Sequence, residues 1–313
     1  MSETKKYTGY IFIFLSVFIW SLGEIFLKLI QDYIGVFAYT FLRLLTGGTF
    51  LVLILAIQKD FSGIGKMIKN NTIILTLCII ILTSSNLLFY IGITNTLANI
   101  GAVLCSTSPV WITILAILIL KERSNLKTKF IGILIGTIGV IILLTKLDLS
   151  GFISSEFLFG NIMALGAEVS WSLFTVLGRK IQVNEKDTSN HEIKFTFISL
   201  LLCCIPIFIF LIISPEFSNF LNYSIEVWLI VIGLGIINSA LAYFLFFKGL
   251  KKVDTSKGAS LIFLKPIIAT TLAFLVLNEA PTVFLIVSSI LIIIAIYIIN
   301  LDSKMEEETV ISF

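Results

Sequence analysis

Four charged residues lie inside long apolar stretches of this sequence: Glu24, Arg43, Glu168 and Lys265. A charge at the centre of a hydrocarbon core costs about 2.5–3.5 kcal/mol, so each of these side chains needs a partner or a function. The two acids and two bases could pair with one another, and Glu168, about 15 Å into its stretch, could instead contact a solute or carry a proton. Glu24 could equally pair with Lys28 one helical turn away, and Lys265 could extend to the membrane surface. Arg43 could be held by an acid or by backbone carbonyls.

Polar and aromatic residues recur beside these charges at spacings of three and four residues, which places them on shared helix faces. Aromatic side chains with a polar tip suit the wall of a cavity for a small, partly apolar solute. The structural alternative for the tryptophans is that they fill helix crossings. Pro109 and Pro266 lie near the middle of two apolar stretches, where kinks could act as gates or could simply bend the helices to fit. The predicted cavity lining is Trp20, Glu24, Arg43, Asn86, Tyr90, Glu168, Trp171, Ser239, Tyr243 and Lys265.

The sequence offers no catalytic or metal-binding cluster. Its four cysteines, at positions 78, 105, 203 and 204, lie in apolar stretches without a C-x-x-C spacing, and His191 is the single histidine. Ligands for a zinc site, an iron–sulfur centre or a disulfide framework are therefore missing, and the thiols are expected to be small buried apolar groups. A P-loop is also missing. We predict no cofactor, no metal, no nucleic-acid partner and no enzymatic activity.

Composition assigns the chain to the membrane. Of its 313 residues, 58% are hydrophobic and 13% are charged, which is too little charge to cover a water-exposed globule of this size. Apolar runs of about 20 residues predict membrane-spanning helices, and hence an all-α polytopic protein with short loops. The first run is too long for the apolar part of a signal peptide, so we expect it to remain as a helix. The ten predicted spans are 9–30, 36–57, 72–93, 98–119, 126–145, 158–181, 192–213, 225–248, 257–277 and 281–300.

The distribution of cationic residues predicts the orientation. With the amino terminus placed in the cytoplasm, 18 of the 22 Lys and Arg residues fall on the cytoplasmic side. Only Lys28 and Lys146 fall on the outer side, and Arg43 and Lys265 lie within spans. Cytoplasmic loops of membrane proteins carry such an excess of positive charge. We therefore predict a multi-pass protein of the cell membrane with both termini in the cytoplasm.

The two halves of the chain, 1–150 and 151–313, are predicted to be repeats. Five spans per half is an odd number, so the second copy must be inverted, which is the architecture of many secondary transporters. Glu122 and Glu279 end equivalent spans just before a helix begins, where the helix dipole favours an anion, and we predict a structural role for both. Shifts of 151 to 157 residues align Trp20-Ser21 with Trp171-Ser172, Tyr90 with Tyr243, Pro109 with Pro266, and Glu122 with Glu279.

Several of these motifs also carry a family resemblance. They are Trp20-Ser21, Phe41-Leu42-Arg43, and above all Ser108-Pro109-Val110 followed by Leu120-Lys121-Glu122-Arg123-Ser124, which recurs as Lys265-Pro266 and Leu277-Asn278-Glu279-Ala280-Pro281. Together they resemble the EamA-type ten-helix members of the drug/metabolite transporter superfamily. Lys121 and Glu168 depart from the family pattern. The resemblance implies five-plus-five inverted repeats around a central cavity, and substrates such as amino acids, other metabolites or drugs, often exported.

We therefore predict a secondary-active, alternating-access transporter of a small organic solute such as an amino acid or related metabolite, working as an exporter. Its expected partners are that solute, the lipid bilayer, and a coupling proton or exchange solute, and we expect a monomer or weak homodimer. One alternative is a membrane channel, which would need a ring of like charges or a carbonyl filter. Another is a membrane protein that transports nothing. An intramembrane enzyme would need a nucleophile, base or metal cluster, which the sequence lacks.

Overall fold

The computed structural model describes residues 3–185, 190–277 and 282–301, and these residues form helices and turns without a β-strand. We number the ten main helices along the chain and leave three short loop helices, Ile64–Asn70, Ser150–Ile153 and Pro215–Asn219, unnumbered. The numbered helices are α1 (Glu3–Ile30), α2 (Val36–Gln58), α3 (Thr72–Thr94), α4 (Ala98–Cys105, Ser108–Leu115 and a π-helical turn at Ala116–Leu120), α5 (Leu126–Thr145), α6 (Leu158–Asn184), α7 (His191–Ile213), α8 (Ile225–Leu250, π-helical over Leu234–Leu241), α9 (Thr255–Ala259, Ser260–Phe263 and Leu264–Leu277) and α10 (Val283–Asn300).

The ten predicted spans coincide with these ten helices, and the prediction of an all-α multi-pass fold is confirmed. Within the described part of the chain, nine helices are long and apolar enough to cross a membrane. The tenth, α9, is not in that count, and a 3-10 turn at Ser260–Phe263 divides it into shorter pieces. The largest difference in a boundary is at α1, which begins at Glu3 instead of residue 9.

Both helices that carry the predicted mid-span prolines are broken just before the proline. In α4 the first piece ends at Cys105 and the second begins at Ser108, so that Pro109 is its second residue. In α9 the last piece begins at Leu264, and Pro266 is its third residue. The first turn of a helix has no intrahelical partner for its N–H groups, so a proline is tolerated there. Each proline therefore starts a new helical segment instead of kinking a continuous helix.

The helices of the two repeats are interleaved instead of forming two separate lobes. Helix α1 packs against α8 and α9, and its repeat counterpart α6 packs against α3 and α4. We call the first set group A and the second set group B. Two further pairs, α2 with α7 and α5 with α10, join repeat-equivalent helices. Each group thus contains helices from both halves of the sequence.

The repeated Trp-Ser motif has a structural role in holding each group together. The Ser21 hydroxyl donates to the carbonyl oxygen of Val17 in its own helix at 2.9 Å and shares this proton with the carbonyl oxygen of Lys265 at 3.3 Å, which brings α1 and α9 together. The equivalent Ser172 hydroxyl donates to the carbonyl oxygen of Ser108 at 3.4 Å, which links α6 to α4. Both acceptors are the residues directly before the repeated prolines. A contact between this serine and the carbonyl before the repeated proline therefore occurs once in each group.

Candidate functional site

A cavity lies between groups A and B, with an empty volume of about 960 Å³ that includes its open mouth. We call the side of the bundle on which α1 begins the amino-terminal face, and the other side the opposite face. The lining residues come from the middle of the helices and from the half nearer the opposite face, so the cavity opens in that direction. The lining consists of Trp20, Gly23, Leu27, Tyr39, Thr40, Arg43, Ser85, Asn86, Phe89, Tyr90, Cys105, Ser108, Glu168, Trp171, Asn238, Tyr243, Ile262 and Lys265.

Aromatic side chains close the cavity toward the amino-terminal face. The rings of Trp20 and Trp171 meet edge to face with centroids 5.4 Å apart. Trp20 also lies 5.5 Å from Tyr243 and 5.1 Å from Phe246, and Trp171 lies 5.6 Å from Phe246. We call these four residues the aromatic floor. Pairs in such geometries contribute about 0.5–1.5 kcal/mol beyond the burial of their area, so the floor is a stable closure.

Arg43 lies at the centre of the site between two repeat-related residues. Its Nη2 donates to Asn86 Oδ1 at 2.7 Å and its Nη1 donates to Ser239 Oγ at 2.8 Å. The carbon of its guanidinium group lies 5.5 Å from the centre of the Tyr39 ring, a cation–π contact. Asn86 and Ser239 are equivalent under the shift of 153 residues that also relates Tyr90 to Tyr243. The arginine thus bonds to α3 and α8, one helix from each group.

Eight of the ten predicted lining residues line this cavity, and the remaining two are placed differently. Ser239 is fully buried behind the cavity wall and contacts Arg43 instead. Glu24 is a residue of α1, but its side chain lies outside the part of the structure that is described. Pro109 and Pro266 are absent from the described lining, although Ser108 and Lys265, the residues before them, belong to it. The roles assigned to all twelve residues stay predictions.

The lining also includes polar residues that sequence reasoning missed, and Asn238 is the clearest of them. Its side-chain Nδ2 donates to the backbone carbonyl oxygen of Ile19 at 3.2 Å. The backbone carbonyl oxygen of Asn238 accepts from Trp20 Nε1 at 3.1 Å. Asn238 lies in the π-helical part of α8, a form of helix that is frequent at functional sites. The sequence could have marked Asn238 as a candidate site residue, because it is an amide in the middle of an apolar span. It could not have shown which way the side chain points, because the π-helical turn changes the angle between successive side chains.

Glu122 makes a contact that differs from the one expected. We predicted that it stabilises the start of the next helix, but α5 begins only at Leu126, after a loop with left-handed backbone at Lys121. The Glu122 carboxylate instead accepts from the start of α9: from Thr255 N at 3.0 Å, Ser256 N at 3.3 Å and Ser256 Oγ at 3.0 Å. An anion at a helix start is the expected chemistry. Here, however, it joins α4 of group B to α9 of group A.

Two other bonds at the amino-terminal face also link group B to group A: Gln182 Nε2 donates to the Phe247 carbonyl oxygen at 3.3 Å, and Ser124 Oγ donates to Asp254 Oδ2 at 3.2 Å. Two carboxylates at this face make contacts of a different kind. Glu185 Oε1 accepts from Asn71 Nδ2 at 2.9 Å and joins α6 to α3, both in group B. Lys194 is fully buried, and its Nζ lies 2.8 Å from Asp60 Oδ1, which joins α7 to the end of α2. These carboxylates provide matched comparisons for Glu122, because they occupy the same face without linking group A to group B.

The described residues hold no group of three His, Cys, Asp or Glu side chains that could bind a metal ion. All four cysteines are buried, and Cys105 lies at the wall of the cavity. Three charged groups determine the chemistry of the cavity. It presents a guanidinium, an ammonium and a carboxyl group, from Arg43, Lys265 and Glu168, among aromatic and small polar side chains.

Comparison with known proteins places this geometry in context. A model of the EamA-like transporter family matches the chain twice, over residues 7–145 and 158–301. An uncharacterized transporter from Clostridium kluyveri is 30% identical, over 95% of this chain and 94% of its own length. One from Archaeoglobus fulgidus is 25% identical over 91% of this chain and 94% of its own length. A crystal structure with a TM-score of 0.77 and 18% identity covers 93% of this chain and 96% of its own, and supports the fold.

Proposed function

This chain belongs to the EamA-like transporter family, and we propose that it is an alternating-access secondary transporter of a small organic solute such as an amino acid or related metabolite. The observation that carries the proposal is a central cavity open toward one face and closed toward the other by residues of both repeats. Two inverted copies of one unit can exchange conformations, which gives two states of similar energy with opposite openings. A membrane transporter built in this way needs no hydrolysis of a nucleotide.

Groups A and B are the proposed moving units. In the state described, the aromatic floor and the Glu122 bonds to α9 hold the groups together at the amino-terminal face, with the Ser124–Asp254 and Gln182–Phe247 bonds beside them. Opening that face requires these contacts to separate while the groups approach each other at the opposite face. The Ser21 and Ser172 bonds lie within the groups, so they can persist through the change. The pairs α2–α7 and α5–α10 would serve as the frame.

The charge distribution and the family resemblance support a proposal for the orientation and the direction of transport. We propose that the amino-terminal face is cytoplasmic, because the spans predicted from the sequence assign 18 of the 22 Lys and Arg residues to that side. The described state would then be open to the outside of the cell membrane, and an exporter in this state would be ready to release its solute. The size of the cavity and its aromatic walls favour a small solute with an apolar portion.

Counterflow measurements test the proposal. Metabolite profiling of a host with and without the protein should first reveal a solute that becomes enriched in the medium. In proteoliposomes loaded with that unlabelled solute, uptake of the labelled solute should be accelerated severalfold over empty vesicles, because a carrier returns faster when loaded. Trp20→Ala and Asn86→Ala variants should reach the membrane in normal amounts but lose most of this flux. Unitary currents in a planar bilayer, or flux that ignores the internal solute, would contradict a carrier.

Substitution of Glu168 tests proton coupling. A carboxyl group near the membrane midplane can carry a proton between the two openings, whereas an amide of the same shape cannot. We therefore expect Glu168→Gln to keep counterflow within about twofold of the unmodified protein and to lose accumulation driven by a pH gradient. Accumulation against the solute gradient, measured in vesicles with an imposed pH difference, checks this. Unchanged pH-driven accumulation in the variant would remove Glu168 from the coupling mechanism.

A further inference from the structure

The guanidinium group of Arg43 has hydrogen-bonding capacity that the described protein atoms leave unused. Only two of its five N–H donors have hydrogen-bond partners, Asn86 and Ser239, and both partners are neutral. The Nε atom is buried and makes no hydrogen bond with any described residue. A buried donor without a partner costs about 1–3 kcal/mol, and more where the group is charged. The Nη1 and Nη2 atoms each keep a second N–H group, and Arg43 lines the cavity, so an acceptor atom of a ligand would be stabilising there.

The chemistry of that ligand atom follows from the guanidinium group. Arginine stays protonated in proteins, and its planar fork matches the two oxygens of a carboxylate better than any neutral acceptor. Charge-assisted hydrogen bonds are roughly twice as strong as neutral ones. The low dielectric of the membrane interior strengthens them further. Asn86 and Ser239 fix the plane of the group from two sides, so that it is preorganised for one anionic partner.

We propose that Arg43 binds a carboxylate of the transported solute, while the apolar part of the solute packs on the aromatic floor. This inference rests on the proposed function and names the chemical class of its substrate. It also links binding to the conformational change. Asn86 lies in group B and Ser239 in group A, and Arg43 bonds to both. An anion that binds the Arg43 guanidinium therefore changes a contact between the two moving groups. Occupancy would then shift the balance of the two states.

Pairs of acids and amides test this without knowledge of the natural solute. The probes are 3-phenylpropionate with 3-phenylpropionamide and phenylalanine with phenylalaninamide, added to purified protein at constant ionic strength. A ligand that binds the folded state raises Tm by mass action. We expect each acid to raise Tm at a concentration at least tenfold lower than its amide. Arg43→Gln should remove this preference, and Arg43→Lys should keep part of it.

The Lys265→Gln variant is the matched control, because Lys265 is the other cation in the described lining. It should retain the preference for acids over amides. The proposal is overturned if no acid acts at a lower concentration than its amide, if Arg43→Gln keeps the preference, or if Lys265→Gln alone removes it. Should Arg43→Gln fail to fold, the acid–amide comparison on the unmodified protein and on Arg43→Lys still decides. Counterflow is measured separately, so that a carrier without acid preference and an acid-binding protein without transport give different results.

Discussion

Replacing Gly160 with alanine is expected to leave most of the protein aggregated or unfolded after extraction from the membrane. Gly160 lies near the start of α6, where the new methyl group would overlap the carbonyl of Asn95 and lie 2.8 Å from Thr96 N. Those atoms are backbone, and the Thr96 hydroxyl is held by Asn161 Oδ1, so they cannot move away cheaply. Overpacking usually costs about 1–3 kcal/mol, and we expect about 3 kcal/mol or more here. The yield of monodisperse protein and its Tm in mild detergent measure the effect.

Two other glycines make this prediction specific. Gly9 is the repeat counterpart of Gly160, but a methyl group there would meet Lys252 Cβ at 2.9 Å, Val253 Cγ1 at 3.0 Å and the Gly249 carbonyl oxygen at 3.2 Å, which is a smaller overlap than at Gly160. Gly233 in α8 has no atom within 4 Å of the added carbon. The expected order of Tm is therefore Gly233→Ala highest, Gly9→Ala intermediate and Gly160→Ala lowest. Alanine is the better helix former by about 1 kcal/mol, so Gly233→Ala should equal or exceed the unmodified protein. A Tm for Gly160→Ala within 2–3 °C of that control would show that the α3–α6 crossing is not rigid.

The positions of the helices could be predicted from the sequence because the bilayer sets both the length and the composition of a span. Even α9, which is broken by its 3-10 turn, was recognisable between Lys257 and Leu277 as an apolar run. The breaks themselves were only partly predictable. Pro109 and Pro266 marked where a helix interior was impossible, but a kink and a new helical start remove the same N–H group. Which of the two forms depends on the packing of neighbouring helices.

The sequence predicted which residues line the cavity better than it predicted which residues contact one another there. Trp171 and Tyr243 could be placed at the centre because they have equivalents in the other repeat, a symmetry visible in the sequence itself. The partners of Arg43 could not, since Asn86 and Ser239 are 43 and 196 residues away from it in the chain. In spans that are apolar nearly all round, periodicity does not reveal which face points inward. For the same reason the sequence predicted that Glu122 contacts the next helix along the chain. In the structure it contacts α9, at residues 133 and 134 positions away.

Glu122→Gln is expected to open the amino-terminal face. The substitution keeps the shape of the side chain but removes the charge that strengthens its bonds to Thr255 and Ser256. The loss of charge assistance across these bonds amounts to about 2 kcal/mol, which is about a 30-fold change in the ratio of the two states. Two single-cysteine reporters in a background without native cysteines measure it. Tyr90→Cys reports on the cavity, and Gln182→Cys reports on the buried α6–α8 contact below the aromatic floor.

In the unmodified protein, a membrane-impermeant maleimide should label Tyr90→Cys quickly and Gln182→Cys slowly, because Gln182 is 2% exposed. With Glu122→Gln, Gln182→Cys should react at least tenfold faster and Tyr90→Cys more slowly.

Glu185→Gln is the matched control, since the Glu185 carboxylate lies at the same face but joins α6 to α3 within one group. Glu279 lies outside the described residues, and the repeat relation alone predicts that Glu279→Gln moves both rates the opposite way. Equal labelling changes in the Glu122 and Glu185 variants would mean that Glu122 only stabilises the local fold. Changes confined to Glu122→Gln, and opposite in sign at the two reporters, would identify its bond to α9 as one of the contacts that hold this face closed.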